Sequence, residues 1–352
     1  MARKSRAAAE PAPTTERAVD ATETSDDERF DRLFRPETLA DFVGQKKHTE
    51  NLRVYVRAAL KRKEPLDHIL LCGPPGLGKT TLANILAREM GVQLFVSSGP
   101  AIEHKGVLTG LLTRLERGDV LFIDEIHRLS AQVEEALYPA IEDFRIDVMV
   151  GDGAYAESIQ LDVKPFTLIG ATTRTGLLTK PLHERFGVTL RLDFYPPEDL
   201  ERIISRSARL LGIECSAEGA RSLAERSRGT PRVANRLLRR VRDFAEIEGS
   251  GVVDAEIVAI ACDRLEIDAG GLDEMDRRLL RVLIEHYDGG PVGVETIAAA
   301  LAEPRDTIED VYEPYLLQQG FLGRTPRGRI ATKRAYEHLG VPLDGSRQQQ
   351  LF

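Results

Sequence analysis

Tryptophan is absent from the sequence, and cysteine occurs only three times, at Cys72, Cys215 and Cys262. The three cysteines lie far apart without the short spacing of a metal knuckle. They read as small apolar side chains in a reducing cytosol rather than as a disulfide frame. No apolar run approaches the ~20 residues of a membrane helix, so no membrane partner is expected. The first residues, MARKSRAAAEPAPTTERAVDATETSDDERF, lack the apolar stretch and cleavage signature of a secretory signal. They are poor in groups that bury surface, so a disordered tail over 1–29 is expected. Basic charge is not in excess either. The net charge of −8 excludes a uniformly basic coat, though a local basic patch remains compatible with nucleic acid.

What the chain does contain is enough length, 352 residues, for two or three domains. HILLC (His68–Cys72), VQLFV (Val92–Val96), DVLFID (Asp119–Asp124), FTLIGA (Phe166–Ala171) and VTLRLDF (Val188–Phe194) are short apolar runs separated by helical patterns. Such alternation predicts an α/β domain with a parallel sheet covered on both faces. Between the third and fourth runs lies FRIDVMVGDGAYAESIQLDV, residues 144–163. Its Ile146, Val148 and Val150 alternate with polar residues, and so do Ile159, Leu161 and Val163 beyond the GDG. That is the pattern of a hairpin with one apolar face. After Tyr195-Pro196-Pro197 the residues to about Leu265 show helical spacing throughout, as in Val233, Ala234, Leu237, Leu238 and Val241. A second break at Asp268–Gly271 precedes three helical segments and a strand–turn–strand, GFLGRTPRGRIAT, which together predict a winged helix. The expected organisation is a large domain over 30–196, a small helical domain over 197–268, a winged-helix domain over 269–340 and a tail over 341–352.

GPPGLGKT, Gly73–Thr80, fits the phosphate-binding loop pattern in full. Its glycines let backbone N–H groups close around phosphates, Lys79 reaches the β/γ-phosphates, and the Thr80 hydroxyl suits Mg²⁺. Asp124 and Glu125 end an apolar strand. The first is suited to Mg²⁺ and its water shell, the second to polarising an attacking water. Arg185, before the fifth strand, and Arg232, at a helix start in the helical domain, are candidates for stabilising a transferring γ-phosphoryl. Read alone, either is more often an ordinary surface salt-bridge arginine. His127 has no evident chemical role.

Charge placement also bears on nucleic acid. The helix from Glu303 to Gly320 carries Glu303, Asp306, Glu309, Asp310 and Glu313, which phosphates would repel. The hairpin after it carries Arg324, Arg327 and Arg329, with Lys333 and Arg334 beyond. The wing is therefore expected to meet a DNA backbone, with Arg305 adding a phosphate contact and the acidic helix facing away. Contacts of that kind read no bases.

In order and content these elements resemble the AAA+ ATPases: a five-stranded parallel sheet with a P-loop, a DE pair, a polar residue ending the fourth strand, an arginine before the fifth, and a helical lid. More narrowly, RPETLADFVGQ (Arg35–Gln45), GPPGLGKTTLA, LFIDEIHRL, IGATTR, RFG, GTPRVANRLLRR and GFLGRTPRGR are similar, in this order, to the RuvB family of bacterial Holliday-junction branch-migration motors. The resemblance implies an ATP hydrolase of recombination and repair, using ATP and Mg²⁺ in a cytoplasmic homohexamer around duplex DNA. It implies Lys79, Asp124, Glu125 and a trans-acting Arg185 as catalytic residues. Around the nucleotide it implies Phe34, Arg35, Gly76, Thr80, Thr81, Glu142, Asp143, Phe144, Tyr195 and Arg232, with Thr172 or Thr173 sensing the γ-phosphate. It further implies Arg305, Arg324 and Arg329 on DNA, RuvA docked on hairpin 144–163, and the resolvase RuvC in the same complex. Phe34 stands where the family often has an aliphatic residue, and two threonines stand where many AAA+ proteins have asparagine. Two alternatives share parts of this pattern. A clamp loader or replication initiator has the core but usually not the apolar hairpin and basic wing together. A nucleotide-switched DNA-binding regulator would not need the DE pair.

Overall fold

The computed structural model describes residues 33–150 and 157–342. The expectations for 1–29, for the GDG turn and for the chain beyond 342 fall outside the described residues. The large domain is built on a parallel sheet of β1 (Ile69–Cys72), β2 (Leu94–Ser98), β3 (Val120–Asp124), β6 (Thr167–Thr172) and β7 (Val188–Arg191). Their order is β2-β3-β6-β1-β7. β1 and β6 are buried along their whole length, because helices cover both faces, and this is why they read as unbroken apolar runs. Register aligns Cys72 with Thr172 and with Arg191. The carboxyl ends of β1, β6 and β3 thus finish side by side, and the residues that follow each strand share one crevice.

Between β3 and β6 the chain leaves the sheet as an antiparallel hairpin of β4 (Arg145–Val150) and β5 (Glu157–Asp162). Ile146 faces Leu161, and Val148 faces Ile159. The apolar face is split. Ile146 and Val163 are buried, whereas Ile159 and Leu161 on β5 are 44% and 36% exposed.

Helices Pro197–Leu211, Ala217–Arg226, Pro231–Glu248 and Ala255–Arg264 form the small domain. Its apolar faces join the core under β1 and β7 in one continuous cluster that includes Leu71, Leu190, Leu200, Ile204, Leu237 and Val258. One detail departs from an all-helical reading: Glu214–Cys215 and Val252–Val253 pair as a two-residue parallel bridge, β8 and β9. The run is too short for any periodicity to announce it.

The last domain has its own core, centred on Leu279, Leu283, Ile297, Leu316 and Ala335. Its first helix, Glu274–Arg281, opens with a capping box between Asp273 and Asp276. A long rod follows in three contiguous helical segments, Arg305–Thr307, Ile308–Tyr312 and Glu313–Gln318, the middle one wound more widely. β10 (Leu322–Thr325) and β11 (Gly328–Ala331) make the wing. Several ionic contacts tie this domain to the rest, among them His338 with Asp268 at 2.7 Å, and two others differ sharply in setting. Arg228 of the small domain meets Asp276 at 3.1 Å, both side chains almost wholly buried, and stacks 4.4 Å from the Tyr315 ring centroid. Arg174 of the large domain, just past β6, meets Asp310 at 2.6 Å.

Candidate functional site: a nucleotide crevice

Helix Lys79–Met90 starts with no side-chain cap, at Gly78 with φ 98°. Its first amides therefore have no partner from a capping residue, and they point into the crevice as an anion site. Glycine is required at two places in the loop. A Cβ on Gly73 (φ 141°) would lie 2.7 Å from the Leu192 carbonyl oxygen, and one on Gly78 would press on the Phe42 ring at 3.2 Å.

A cavity of about 320 Å³ opens between this loop, the segment Phe34–Val43 and the small domain. Of the residues expected around a nucleotide, it is lined by Phe34, Arg35, Gly76, Lys79, Thr80, Thr81, Asp124, Glu125, Thr173, Tyr195 and Arg232. Ile203, Arg206 and Asn235 of the small domain line it too. Sequence reasoning missed these three, because a helix facing a cleft has the same spacing as a helix facing a core. Arg206 donates from Nη1 to the Phe34 carbonyl at 2.8 Å, closing the cavity on that side. Tyr195 donates its hydroxyl to the Leu77 carbonyl at 3.2 Å, bracing the loop from behind.

Lys79 is 7% exposed, and its ammonium donates to the carbonyls of Gly73 at 2.7 Å and Pro74 at 2.9 Å. Burial pushes its pKa down to about 8, against the opposing pull of Asp124 and Glu125. A bound polyphosphate supplies negative charge and restores the ordinary, higher value. The bound pKa then exceeds the free one, so affinity is flat below pH 8 and weakens as pH rises beyond it. Calorimetry of nucleotide binding at pH 9, in buffers of different ionisation heat, should record uptake of close to one proton. Binding without proton uptake there would contradict the burial of this ammonium.

Glu125 sits in the left-handed region, φ 46°. Its Oε2 accepts from the Thr173 hydroxyl at 3.1 Å and lies 3.2 Å from His127 Nδ1. Burial raises its pKa, helped by the Asp124 carboxylate and opposed by Lys79. The two threonines separate here. Thr173 faces the cavity. Thr172 is fully buried and hydrogen-bonds His127 Nδ1 at 2.9 Å instead, so it does not line the cavity as one of the two alternatives required. His127 thereby gains a place: it is wedged between Thr172 and Glu125. No sequence signal separated it from a core histidine.

Four further expected residues are not at this cavity. Arg185 donates to the Pro181 carbonyl at 2.7 Å, pairs with Glu142 at 3.1 Å and lies 4.0 Å over the Tyr138 ring. Asp143 follows Glu142 at the helix end, and Phe144 packs edge-on against Phe166 at 6.1 Å. Helix Ala131–Glu142 carries Glu142 and its neighbours to a separate surface, so a single subunit does not bring them to its own crevice.

Thr80 and Asp124 present a hydroxyl and a carboxylate, hard oxygen donors at the mouth of the phosphate loop, which fits Mg²⁺ held with phosphates and waters.

The three parts of the chain match three family descriptions in sequence order. Residues 34–192 match the Holliday junction DNA helicase RuvB P-loop domain, 195–268 the RuvB AAA lid domain, and 269–340 the RuvB C-terminal winged helix domain. The chain belongs to the RuvB family. A solved structure described as the Thermotoga maritima RuvB Holliday junction branch migration motor is 50% identical, with TM-score 0.82, over 89% of this chain and all of that one (100%). A single-substitution variant of the same Thermotoga protein is 51% identical, with TM-score 0.83, over 88% of this chain and 100% of that one. RuvB membership makes the crevice the ATPase site of a branch-migration motor and the last domain a winged helix.

In this RuvB-family winged helix Arg305, Arg324 and Arg329 are paired with acids of the helix, which lies against the wing rather than turning away from it. Glu313, 1% exposed, holds Arg329 at 2.6 Å and Arg324 at 2.7 Å. Glu309 holds Arg329 at 2.9 Å and Arg305 at 3.2 Å. The expectation overlooked that the carboxylates repelling DNA phosphates would also attract the wing. Arg327, at the exposed tip of the turn, has no ion pair among the described residues.

Proposed function

We propose that the protein works as a homohexameric ring around duplex DNA, hydrolysing ATP between subunits to pump the arms of Holliday junctions. It does so with RuvA, in a complex that also takes RuvC, during cytoplasmic recombination and repair. The observation that carries this reading is the separation of Arg185 from the crevice. One subunit offers Lys79, Thr80, Asp124, Glu125, Thr173 and Arg232 around one cavity. The arginine suited to the transferring phosphoryl lies elsewhere, paired with Glu142. A neighbour's Arg185, with its Glu142–Phe144 segment, completes the site in a ring. Thr80 and Asp124 would hold Mg²⁺, which would supply charge neutralisation at the phosphates. Lys79 neutralises the phosphate oxygens, Glu125 orients and polarises the water, and Thr173 ties Glu125 to the γ-phosphate. Arg232 reaches in from the lid, so loss of the γ-phosphate changes what holds the two domains together. Arg305, Arg324, Arg327 and Arg329 then meet the duplex backbone.

ATP-dependent movement of a synthetic four-way junction, with RuvA present, tests the reading. Turnover without strand exchange would reject it. The β4–β5 hairpin supports RuvA docking, since Ile159 and Leu161 stay exposed two residues apart on β5. The pair Ile159→Asp, Leu161→Asp is expected to lower RuvA-dependent migration at least tenfold while RuvA-independent ATPase stays within about twofold, because each substitution leaves an unpaired charge in an apolar interface. Equal migration by this variant would place RuvA elsewhere.

A further inference from the structure

Arg174, the residue after Thr173, joins the catalytic loop to the winged domain by an ion pair. Thr172 Oγ1 accepts the Arg174 N–H at 3.0 Å, so the backbone at this point is fixed from the core. The guanidinium then reaches across to the rod. Nε and Nη2 donate to the two oxygens of Asp310, each at 2.6 Å, and Nη2 also meets Asp306 at 3.3 Å. Two parallel donors on one carboxylate fix direction as well as distance. The same rod holds the wing by a second pair of acids. Asp306 and Asp310 grip Arg174; Glu309 and Glu313, three residues further on, grip Arg324 and Arg329.

Two of the domain contacts differ in burial. Arg228–Asp276 is closed to water, and parting it would strand a buried charge. Arg174 and Asp310 remain 27% and 41% exposed, so water can replace either partner and the contact can open.

We propose that Arg174 is a positioning residue through which the winged domain sets the alignment of Thr173 and Glu125, with the rod Arg305–Gln318 as the connecting piece. The inference rests on the roles given above to Glu125 and Thr173. Its direction follows from charge. DNA phosphates that draw Arg324 and Arg329 toward them leave Glu309 and Glu313 less neutralised. The rod becomes more negative and holds Arg174 more firmly, so bound duplex favours the hydrolytic arrangement.

Asp310→Asn keeps the shape of the side chain and removes its charge. DNA-stimulated kcat is expected to fall about fivefold or more, within the usual range of coupling between sites, while KM for ATP, basal kcat and the thermal midpoint stay near those of the parent. Asp306→Asn, at a more exposed position, is expected to give a smaller loss of the same kind, and it serves if Asp310→Asn folds poorly. Arg174→Ala combined with Asp310→Asn should be no worse than the poorer single variant, because both remove one contact. Undiminished DNA stimulation in the Asp310 and Asp306 variants, or losses that multiply in the double variant, would overturn the proposal. A parallel Glu125→Gln sample separates the two levels. If it hydrolyses ATP normally, the catalytic reading has failed; if it is inactive and the Asp310 and Asp306 variants respond normally to DNA, only the coupling has failed.

Discussion

Glu125→Gln is expected to lower kcat by about a hundred- to ten-thousandfold while ATP affinity changes by no more than a few fold. The amide fills the same space and still accepts the Thr173 hydroxyl, so the cavity keeps its shape. What it loses is the negative charge that polarises the water. The parent should also reveal this group in its pH profile. Burial and the neighbouring Asp124 raise the Glu125 pKa. Because the ionised form is the active one, kcat/KM falls as pH drops through a value above the ordinary ~4.3 of a glutamate. The substituted protein should lack that acid limb. Steady-state turnover across pH, with nucleotide binding measured alongside, checks both statements; unchanged turnover would remove Glu125 from the mechanism.

Arg185→Ala should cost still more, about a thousandfold or greater in kcat, the scale of a trans-acting arginine on a transferring phosphoryl. Its side chain also pairs with Glu142 and stacks on Tyr138, so Arg185→Lys is the companion variant. Lysine keeps the charge without the planar fork and should recover only part of the rate. Mixing decides whether the residue acts across subunits. Arg185→Ala subunits retain an intact crevice, and Lys79→Ala subunits retain an intact arginine. Each is inactive alone, but together they form interfaces that carry both. Turnover of the mixture above the sum of its parts is the expected result. A mixture as inactive as its parts would count against action across the interface, whereas full turnover by Arg185→Ala alone would place Arg185 outside the chemistry.

The parts of this molecule that were legible in its sequence are those where one local constraint decides. The phosphate loop must contain glycine wherever a Cβ would strike Leu192 or Phe42, so the loop declares itself. The buried strands must be apolar on both sides, so β1, β3 and β6 declare themselves too. Other features depend on what folding brings together. Arg174 and Asp310 are 136 residues apart, and nothing near either announces the other. His127 looked idle until Thr172 and Glu125 closed on it. The charge pattern of the winged domain was read correctly as two clusters of opposite sign. That they would neutralise each other followed only once the rod lay against the wing. The distinction between Thr172 and Thr173 likewise depends on which way the end of β6 turns.

The closed Arg228–Asp276 contact has a mechanical consequence. With Tyr315 stacked beside it, it fastens the small helical domain to the winged domain at a point where slippage would expose an unpaired charge. In the proposed motor the two would therefore swing together, as a crank and its arm. A modest turn at the crank would become a longer sweep at the tip carrying Arg327, with little of the stroke lost to bending at the joint.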